Sequence, residues 1–242
     1  SAVVAEAQEA YNAGISLFEN KDYKGAAAKF QEGIVKDSSF QAAYYNKGLA
    51  LIELKDTDGA IASFDALLAL NKEHNKAHFQ KGRAYYNVGY FGDAVGSLKA
   101  SVNIDPTFFK AQYNLGTVYF LTNNFAEAVK AFTKAIEIDD KNADAYNDRG
   151  SSYRQLKQFS AALNDYKKAG LLAPKHAFVF NNIGTTMRLM KDYEGAQSAY
   201  TRALSIDPRF YLAYNNRGVM SMELGKYKDA IKDFDRCLIR KY

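Results

Sequence analysis

Apolar and polar residues alternate along the chain in paired stretches that have the periodicity of α-helices. Between residues 109 and 142, apolar side chains from Phe109 to Phe120 follow the 3.6-residue spacing of an amphipathic helix. A polar stretch at residues 122–124 interrupts this spacing, and a second helical pattern extends from Phe125 to Ile138. The segment therefore predicts two helices joined by a tight turn.

The same pair of stretches returns every 34 residues. One column of the repeat is glycine: Gly14, Gly48, Gly82, Gly116, Gly150, Gly184 and Gly218. Twelve residues later stands an alanine: Ala26, Ala60, Ala94, Ala128, Ala162, Ala196 and Ala230. Four residues further stands a large side chain: Phe30, Phe64, Leu98, Phe132, Tyr166, Tyr200 and Phe234. A fixed period indicates a repeat architecture. We interpret the small residues as the crossing point of two helices, with the large side chain filling the space beside it.

The composition agrees with a helical chain. Proline contributes 3 of the 242 residues, against an average usage of ~5%. Pro106, Pro174 and Pro208 fall in one column, where they end a repeat. The single cysteine, Cys237, excludes an internal disulfide, and it stands in a column of small packing residues. No run of some 18 apolar residues suits a membrane span. The compartment stays unknown, with the cytoplasm favoured.

A 34-residue helix–turn–helix unit with these columns resembles the tetratricopeptide repeat (TPR) family over nearly the whole chain. The resemblance implies an all-α, right-handed superhelical solenoid of seven repeats, with first helices lining a concave groove and second helices outside. We treat residues 1–242 as a single array and place the repeats at 7–40, 41–74, 75–108, 109–142, 143–176, 177–210 and 211–242. Members of the family usually end with an extra helix, and none follows Tyr242. We therefore expect that the native chain continues or that this end stacks on something.

Few residues offer chemistry for catalysis or cofactor binding. His74 and His78 have the i, i+4 spacing of a metal-binding pair, but a packed histidine beside a surface histidine explains them better. Gly89, Gly92 and Gly96 lack the spacing of a phosphate-binding loop. Gly92 and Gly96 instead weaken the second helix of repeat three, where we expect a soft point. We predict no catalytic residues, metal or cofactor, and hence a protein that is not an enzyme.

A column rich in asparagine stands two residues before the glycines. It consists of Asn12, Asn46, Gln80, Asn114, Asp148, Asn182 and Asn216. A carboxamide has both a donor and an acceptor, so a row of them along a groove can pair with the backbone of an extended peptide. The row is similar to the asparagine ladder in the TPR region of O-GlcNAc transferase, which implies that role here. The alternative is that these side chains hydrogen-bond locally between helices, and both can hold at once.

The neighbouring columns change character along the chain. We expect an apolar, aromatic N-terminal half of the groove, for which the binding candidates are Tyr45, Phe79, Tyr86, Tyr113 and Phe120. In later repeats the same columns carry asparagine and the arginines Arg154 and Arg188. Residues 1–121 hold 12 basic and 13 acidic residues, whereas residues 122–242 hold 20 and 14. Arginine suits carboxylates and phosphates, so acidic or phosphorylated segments are expected ligands. Arg149 and Arg217 are weaker candidates because they stand beside the glycines.

These observations predict a non-catalytic scaffold that binds an extended segment of a partner protein. Two alternatives stay open: self-assembly by stacking of the terminal repeats into a homo-oligomer, and the substrate-adaptor region of a larger enzyme. A clamp for chaperone tails is disfavoured, because the first three repeats match only two of its five residues. Nucleic acid is also disfavoured, because a net charge of +5 is modest and related RNA-binding repeats have a different period. The sequence does not identify the partner.

Overall fold

The computed structural model describes residues 2–238, and the regular elements in that range are all α-helices. In chain order they are α1 Ala2–Glu19, α2 Tyr23–Lys36, α3 Gln41–Glu53, α4 Thr57–Leu70, α5 Asn75–Asn87, α6 Phe91–Ile104, α7 Phe109–Leu121, α8 Phe125–Ile138, α9 Ala143–Gln155, α10 Phe159–Leu172, α11 Ala177–Leu189, α12 Tyr193–Ile206, α13 Tyr211–Glu223 and α14 Tyr227–Leu238. Odd-numbered helices are the first helices of the repeats, and even-numbered ones are the second helices. The predicted all-α solenoid of helix–turn–helix repeats is confirmed.

The helices form two compact units that divide within α7, between Val118 and Tyr119. We call residues 2–118 unit 1 and residues 119–238 unit 2, and we describe each by itself. The interpretation of residues 1–242 as a single array stays a prediction. The expectation that the chain continues after Tyr242, or that this end stacks on another surface, concerns a position outside the described residues.

A left-handed residue ends the turn between the two helices of each repeat. Its φ lies between 59° and 80° at Lys21, Lys55, Gly89, Asn123, Lys157, Lys191 and Gly225, which are spaced by 34 residues. This backbone region suits glycine, is tolerated by asparagine and costs other residues about 1–2 kcal/mol. The polar break that the sequence shows at residues 122–124 is therefore one instance of a turn conformation shared by all seven repeats.

The glycine column marks the closest approach of the two helices in a repeat, as predicted. A Cβ atom added to Gly48 would lie 2.5 Å from the Phe64 ring, and one added to Gly184 would lie 2.6 Å from the Tyr200 ring. Both rings are fully buried. In these repeats a large ring thus fits against a bare glycine backbone, whereas repeat three places Leu98 against Gly82.

First helices contact each other within each unit, whereas second helices do not. In unit 1, α1 contacts α3 and α3 contacts α5, while in unit 2 α9 contacts α11 and α11 contacts α13. Among the described helices, successive second helices within a unit make no such contacts. We call the surface of the first helices that carries the asparagine column the inner face of each unit. The residues predicted to bind a ligand lie on these first helices.

Two buried ion pairs tie second helices to the first helix between them. Arg149 in α9 donates from Nε and Nη2 to the carboxylate of Asp165 in α10, at 2.8 Å each, and from Nη1 to Thr133 in α8 at 3.2 Å. Arg217 repeats the arrangement with Asp233. The hydrogen bonds that Arg149 donates to Asp165 raise the pKa of the Arg149 guanidinium. The structure therefore places both arginines between helices, where they serve packing.

Helix α6 of repeat three has several local weaknesses. Gly92 and Gly96 face open space, since an added Cβ would meet nothing within 4 Å. Tyr90, at the N-cap, makes no side-chain capping bond. The Ser101 hydroxyl is buried and has no hydrogen-bond partner among the described residues. Repeats four to six have alanine in that column, at Ala135, Ala169 and Ala203. The predicted soft point therefore coincides with a helix that contains several destabilising features. The low stability of this repeat itself stays a prediction.

We expect Gly96→Ala and Ser101→Ala each to raise the free energy of unfolding by about 1 kcal/mol. The first restores helix propensity, and the second removes an unsatisfied buried hydroxyl. Urea denaturation followed by circular dichroism measures both, because the chain has no tryptophan. Gly82→Ala is the control, since its Cβ would lie 2.8 Å from Leu98 and should destabilise the protein. Equal effects at Gly96 and Gly82 would contradict this account.

Candidate peptide-binding faces

The asparagine column of unit 1 links neighbouring first helices. The Asn46 Nδ2 donates to the Tyr11 hydroxyl at 3.1 Å and to the Ala42 carbonyl at 2.9 Å. The Gln80 Nε2 donates to the Tyr45 hydroxyl at 3.3 Å. In both cases the acceptor lies 35 residues earlier, one position before the asparagine column of the preceding repeat. The amide protons of these two residues therefore serve inter-repeat hydrogen bonds.

Unit 2 uses the same link with a different acceptor. The Asn182 Nδ2 donates to Asn147 Oδ1, and the Asn216 Nδ2 donates to Asn181 Oδ1, each at 3.0 Å. Asn147 and Asn181 are 8% and 6% exposed, so they lie beneath the inner face. The same column has mostly tyrosine in unit 1 and asparagine in unit 2. This difference in residue type alters the acceptor of an inter-repeat hydrogen bond as well as the polarity of the column. Local hydrogen bonding between helices, one of the two interpretations open at the sequence level, is present.

Asn114 differs from these positions because it has no acceptor 35 residues earlier. Phe79 stands where Tyr11 and Tyr45 supply a hydroxyl, and it is 5% exposed. The side chain of Asn114 is half-buried on the inner face of unit 1 and has no hydrogen bond to any described residue. Its donor and acceptor are both available to a ligand.

The remaining two members of the column each accept a hydrogen bond from a residue of their own helix. Asn12 is exposed and its Oδ1 accepts a hydrogen bond from Gln8 at 2.8 Å. Asp148 accepts one from the Asn147 Nδ2 at 3.0 Å. A carboxylate has no donor, so Asp148 can pair only with the N–H groups of a peptide backbone.

Two of the aromatic candidates, Tyr45 and Phe79, are largely covered by neighbouring rings and expose little surface to a ligand. Tyr45 is half-buried between the Phe64 ring and the His74 ring. Phe79 packs edge-on against Phe108. Tyr86, in contrast, is 38% exposed and rests on the second helix of its own repeat. Tyr86 therefore offers the largest free aromatic surface among these three residues of unit 1.

The last two aromatic candidates lie in α7, on either side of the unit boundary. Tyr113 is half-buried in unit 1 and stacks on Phe109, with centroids 5.8 Å apart. Phe120 is half-buried in unit 2 and packs edge-on against Phe125 at 5.4 Å. Each ring presents part of its surface, so both stay candidates.

Arg154 and Arg188 lie on the inner face of unit 2 without a carboxylate partner among the described residues. The Arg154 guanidinium lies over the Tyr166 ring at 5.6 Å, and its Nη1 contacts the Asn182 Oδ1 at 3.4 Å. The Arg188 Nε is buried and has no acceptor. These arginines thus differ sharply from Arg149, whose guanidinium is held by Asp165.

The two histidines have separate structural tasks. His74 caps α5, since its Nδ1 accepts a hydrogen bond from the Ala77 backbone at 3.1 Å, and burial lowers its pKa. The His78 Nε2 lies 3.0 Å from the Lys72 carbonyl. Within residues 2–238, no three His, Cys, Asp or Glu side chains gather as a metal site would require. None of the described helices combines the length and the apolar character of a bilayer span.

The comparison with known families decides the identity of the fold. Family models of the tetratricopeptide repeat match residues 11–77, 109–142, 131–164, 179–210 and 199–232. The chain belongs to the TPR family. Among curated proteins, none matches this TPR chain significantly.

Solved structures of other TPR proteins superpose on this one. The crystal structure of MamA matches with a TM-score of 0.64 and 25% identity over 66% of this chain and 94% of that one. YrrB, a TPR protein with an unusual peptide-binding site, matches with a TM-score of 0.70 and 22% identity over 76% and 95%. A TPR protein from Parabacteroides merdae ATCC 43184 matches with a TM-score of 0.71 and 14% identity over 98% and 94%. These superpositions show that the chain shares the fold of these proteins.

Sequence reasoning identified the asparagine column but missed its partners. Tyr11, Asn147 and Asn181 are hydrogen-bond acceptors for the following repeat. The signal was present as a second periodicity, because four amide residues stand 35 residues after a hydroxyl or a carboxamide: Asn46, Gln80, Asn182 and Asn216. Phe79 is an exception in that pattern within unit 1, and the exception marks Asn114.

We expect Asn182→Ala to lower the free energy of unfolding by about 1–2 kcal/mol, because it leaves the buried Asn147 Oδ1 without its donor. Asn114→Ala breaks no internal hydrogen bond and should leave stability unchanged. Parallel urea titrations of the two variants measure the difference. A loss of equal size in both would show that the amides play the same structural role.

Proposed function

We propose that this TPR protein is a non-catalytic scaffold that binds an extended peptide segment of a partner protein on the inner faces of its units. The observation that carries the proposal is the Asn114 carboxamide, whose donor and acceptor both lack a partner among the described residues. A strand-like backbone presents one N–H and one C=O per residue, and a carboxamide can pair with both.

The other column members supply acceptors along the same faces. The Asn46 and Asn216 amides donate internally, and neither Oδ1 has a partner among the described residues, so each can accept from a peptide N–H. The Asn182 Oδ1 has a long contact with Arg154 that a peptide can replace. Asn114 therefore holds a peptide by two bonds, and these residues add single bonds.

Apolar side chains of the ligand find their main contact on unit 1 at Tyr86. Its ring is more exposed than those of Tyr45 and Phe79 and packs on the Phe91 ring, which fixes its position. A rigid aromatic surface of this kind provides buried area at a small entropic cost. On unit 2, the arginines favour acidic segments, as the charge distribution of the sequence suggests.

The test begins with selection from a displayed library of random peptides of about 12 residues, which span about 40 Å when extended. We expect enrichment of a family of peptides, and we expect Asn114→Ala to weaken the binding of a selected peptide about 3- to 10-fold, the worth of one or two net hydrogen bonds. Fluorescence anisotropy measures the affinity, and thermal denaturation shows whether the fold is intact.

Asn103→Ala is the matched control, because Asn103 is an exposed asparagine on α6, a second helix of the same unit. Its affinity and melting temperature should equal those of the parent protein. The proposal fails if the library yields no enriched peptides, or if Asn114→Ala and Asn103→Ala bind a selected peptide with equal affinity.

A further inference from the structure

The inner face of unit 2 carries two guanidinium groups that form no ion pair with a carboxylate among the described residues. Arg154 stands in α9, and Arg188 stands one repeat later in α11. Ion pairs in this unit involve other residues: Arg149 binds Asp165 and Arg217 binds Asp233. Unit 2 thus has two kinds of arginine: Arg149 and Arg217 hold helices together through ion pairs, whereas Arg154 and Arg188 lie on the inner face without one.

One contact connects Arg154 with the helix that carries Arg188. The Arg154 Nη1 reaches the Asn182 Oδ1, on the same helix as Arg188. Burial raises the pKa of the Tyr200 hydroxyl, and the positive charges of Arg188 and Arg154 both oppose that shift. The charges of Arg154 and Arg188 therefore both act on the Tyr200 hydroxyl in α12.

Hydroxyl donors lie on the same two helices as these arginines, Ser151 on α9 and Thr185 on α11. The Ser151 hydroxyl pairs with the Tyr166 hydroxyl at 2.9 Å, and the Thr185 hydroxyl pairs with the Tyr200 hydroxyl at 3.2 Å. Each pair has two protons for one internal hydrogen bond, so one O–H in each pair can turn to a ligand. Two guanidinium groups and hydroxyl donors form the donor set of an anion site.

The internal hydrogen bonding of Arg188 is incomplete. Its Nε is covered by protein and has no acceptor, which costs stability in the unliganded protein. Arg188 has no hydrogen bond to any described residue, so an anion at Nη1 and Nη2 supplies acceptors that the protein itself does not. Asp148 on α9 accepts a hydrogen bond from Asn147. Burial raises the pKa of the Tyr166 hydroxyl, the positive charge of Arg154 opposes that shift, and the negative charge of Asp148 adds to it.

We propose that Arg154 and Arg188, with Ser151 and Thr185, form a site for a single carboxylate or phosphate group carried by the bound peptide. The proposal rests on the proposed function, since the peptide delivers the anion. Arg188 is the main ligand, because Arg154 also contacts Asn182 and the Tyr166 ring. The site thereby selects peptides with an acidic or phosphorylated residue at one position.

The first experiment uses inorganic phosphate and the protein labelled with ¹⁵N at arginine, so it requires no peptide. At constant ionic strength, the Nε–Hε signals of Arg154 and Arg188 should shift saturably, while those of Arg149 and Arg217 stay fixed. Arg188→Met should weaken phosphate binding about tenfold or more. Methionine is suited to this column, because Met222 occupies it in repeat seven.

Arg202→Met is the control, since it removes one positive charge from an exposed position on the second helix α12. Phosphate affinity should change less than about twofold. Shifts of equal size at all four arginines, or no saturable shift at Arg188, would overturn the proposal. Acetate in place of phosphate identifies the source: equal binding assigns an Asp or Glu side chain, and weaker binding assigns a phosphorylated residue.

A second arm distinguishes this inference from the peptide proposal. Peptides selected from the library are compared with copies in which each Glu or Asp is replaced by its amide. The anion site is supported if the amide copies bind the parent protein more weakly than the original peptides do, and if the Arg188→Met variant binds both with the same affinity. If neither the amide replacement nor Arg188→Met weakens the binding of a selected peptide, the anion site is overturned and the peptide proposal stands. If the library yields no peptide, the peptide proposal fails, and the phosphate titration still tests the anion site.

Discussion

Asp165→Ala is expected to lower the free energy of unfolding of unit 2 by about 3–5 kcal/mol. The carboxylate is nearly buried and receives two hydrogen bonds from Arg149, each 2.8 Å long. Its removal leaves a largely enclosed guanidinium without a counter-charge, although the Tyr146 and Tyr153 rings still flank it. Because the same arginine also reaches Thr133 in the preceding repeat, the loss extends across a repeat boundary.

Urea denaturation followed by circular dichroism measures this effect. Neighbouring repeats unfold as coupled units, so the transition should broaden or split as the contact between α8, α9 and α10 weakens. Glu137→Ala is the control, because its ion pair with Lys134 is exposed on the surface of α8 and should contribute nothing measurable. A loss for Asp165→Ala no larger than for Glu137→Ala would show that the buried pair does not hold the repeats together.

Phe64→Ala is expected to cost about 3–5 kcal/mol in unit 1, since it empties the space of a fully buried ring. Gly48→Ala should cost about 1–3 kcal/mol, because its Cβ would lie 2.5 Å from the same ring. The two changes are coupled: once Phe64 is alanine, the ring atoms nearest to the new Cβ are gone. The double variant should therefore be less destabilised than the sum of the two single variants.

A double-mutant cycle in urea denaturation tests this coupling. Additive losses would mean that Gly48 matters for backbone conformation alone, and that the glycine column does not mark a helix crossing. Gly96→Ala in the Phe64→Ala background is the control for helix propensity, because Gly96 faces open space and should add its stabilisation independently.

Most of the fold could be predicted from the sequence because its determinants are local and repeated. Gly48 and Phe64 are 16 residues apart, and the same pairing recurs in every repeat, so periodicity alone revealed the crossing of the helices. The left-handed turn was harder to see. Lysine occupies that position in four repeats, and lysine has no preference for positive φ, so residue type did not identify it.

The candidate site could be predicted only in outline. The asparagine column is visible in the sequence, but whether an amide is free depends on the residue 35 positions earlier in a different helix. Arg149 and Arg154 are both basic residues of α9, and only the position of Asp165 shows that Arg149 holds helices together while Arg154 has no carboxylate partner among the described residues. The enclosed position of Phe79 likewise follows from its neighbour Phe108, in a turn that hydropathy does not distinguish.

The most direct test of peptide binding is a crystal structure of the protein with a library-selected peptide. We predict an extended peptide along the first helices, with the Asn114 carboxamide bonded to both an N–H and a C=O of the peptide backbone. A peptide that lies on the second helices, or one that leaves Asn114 without a contact, would contradict the account.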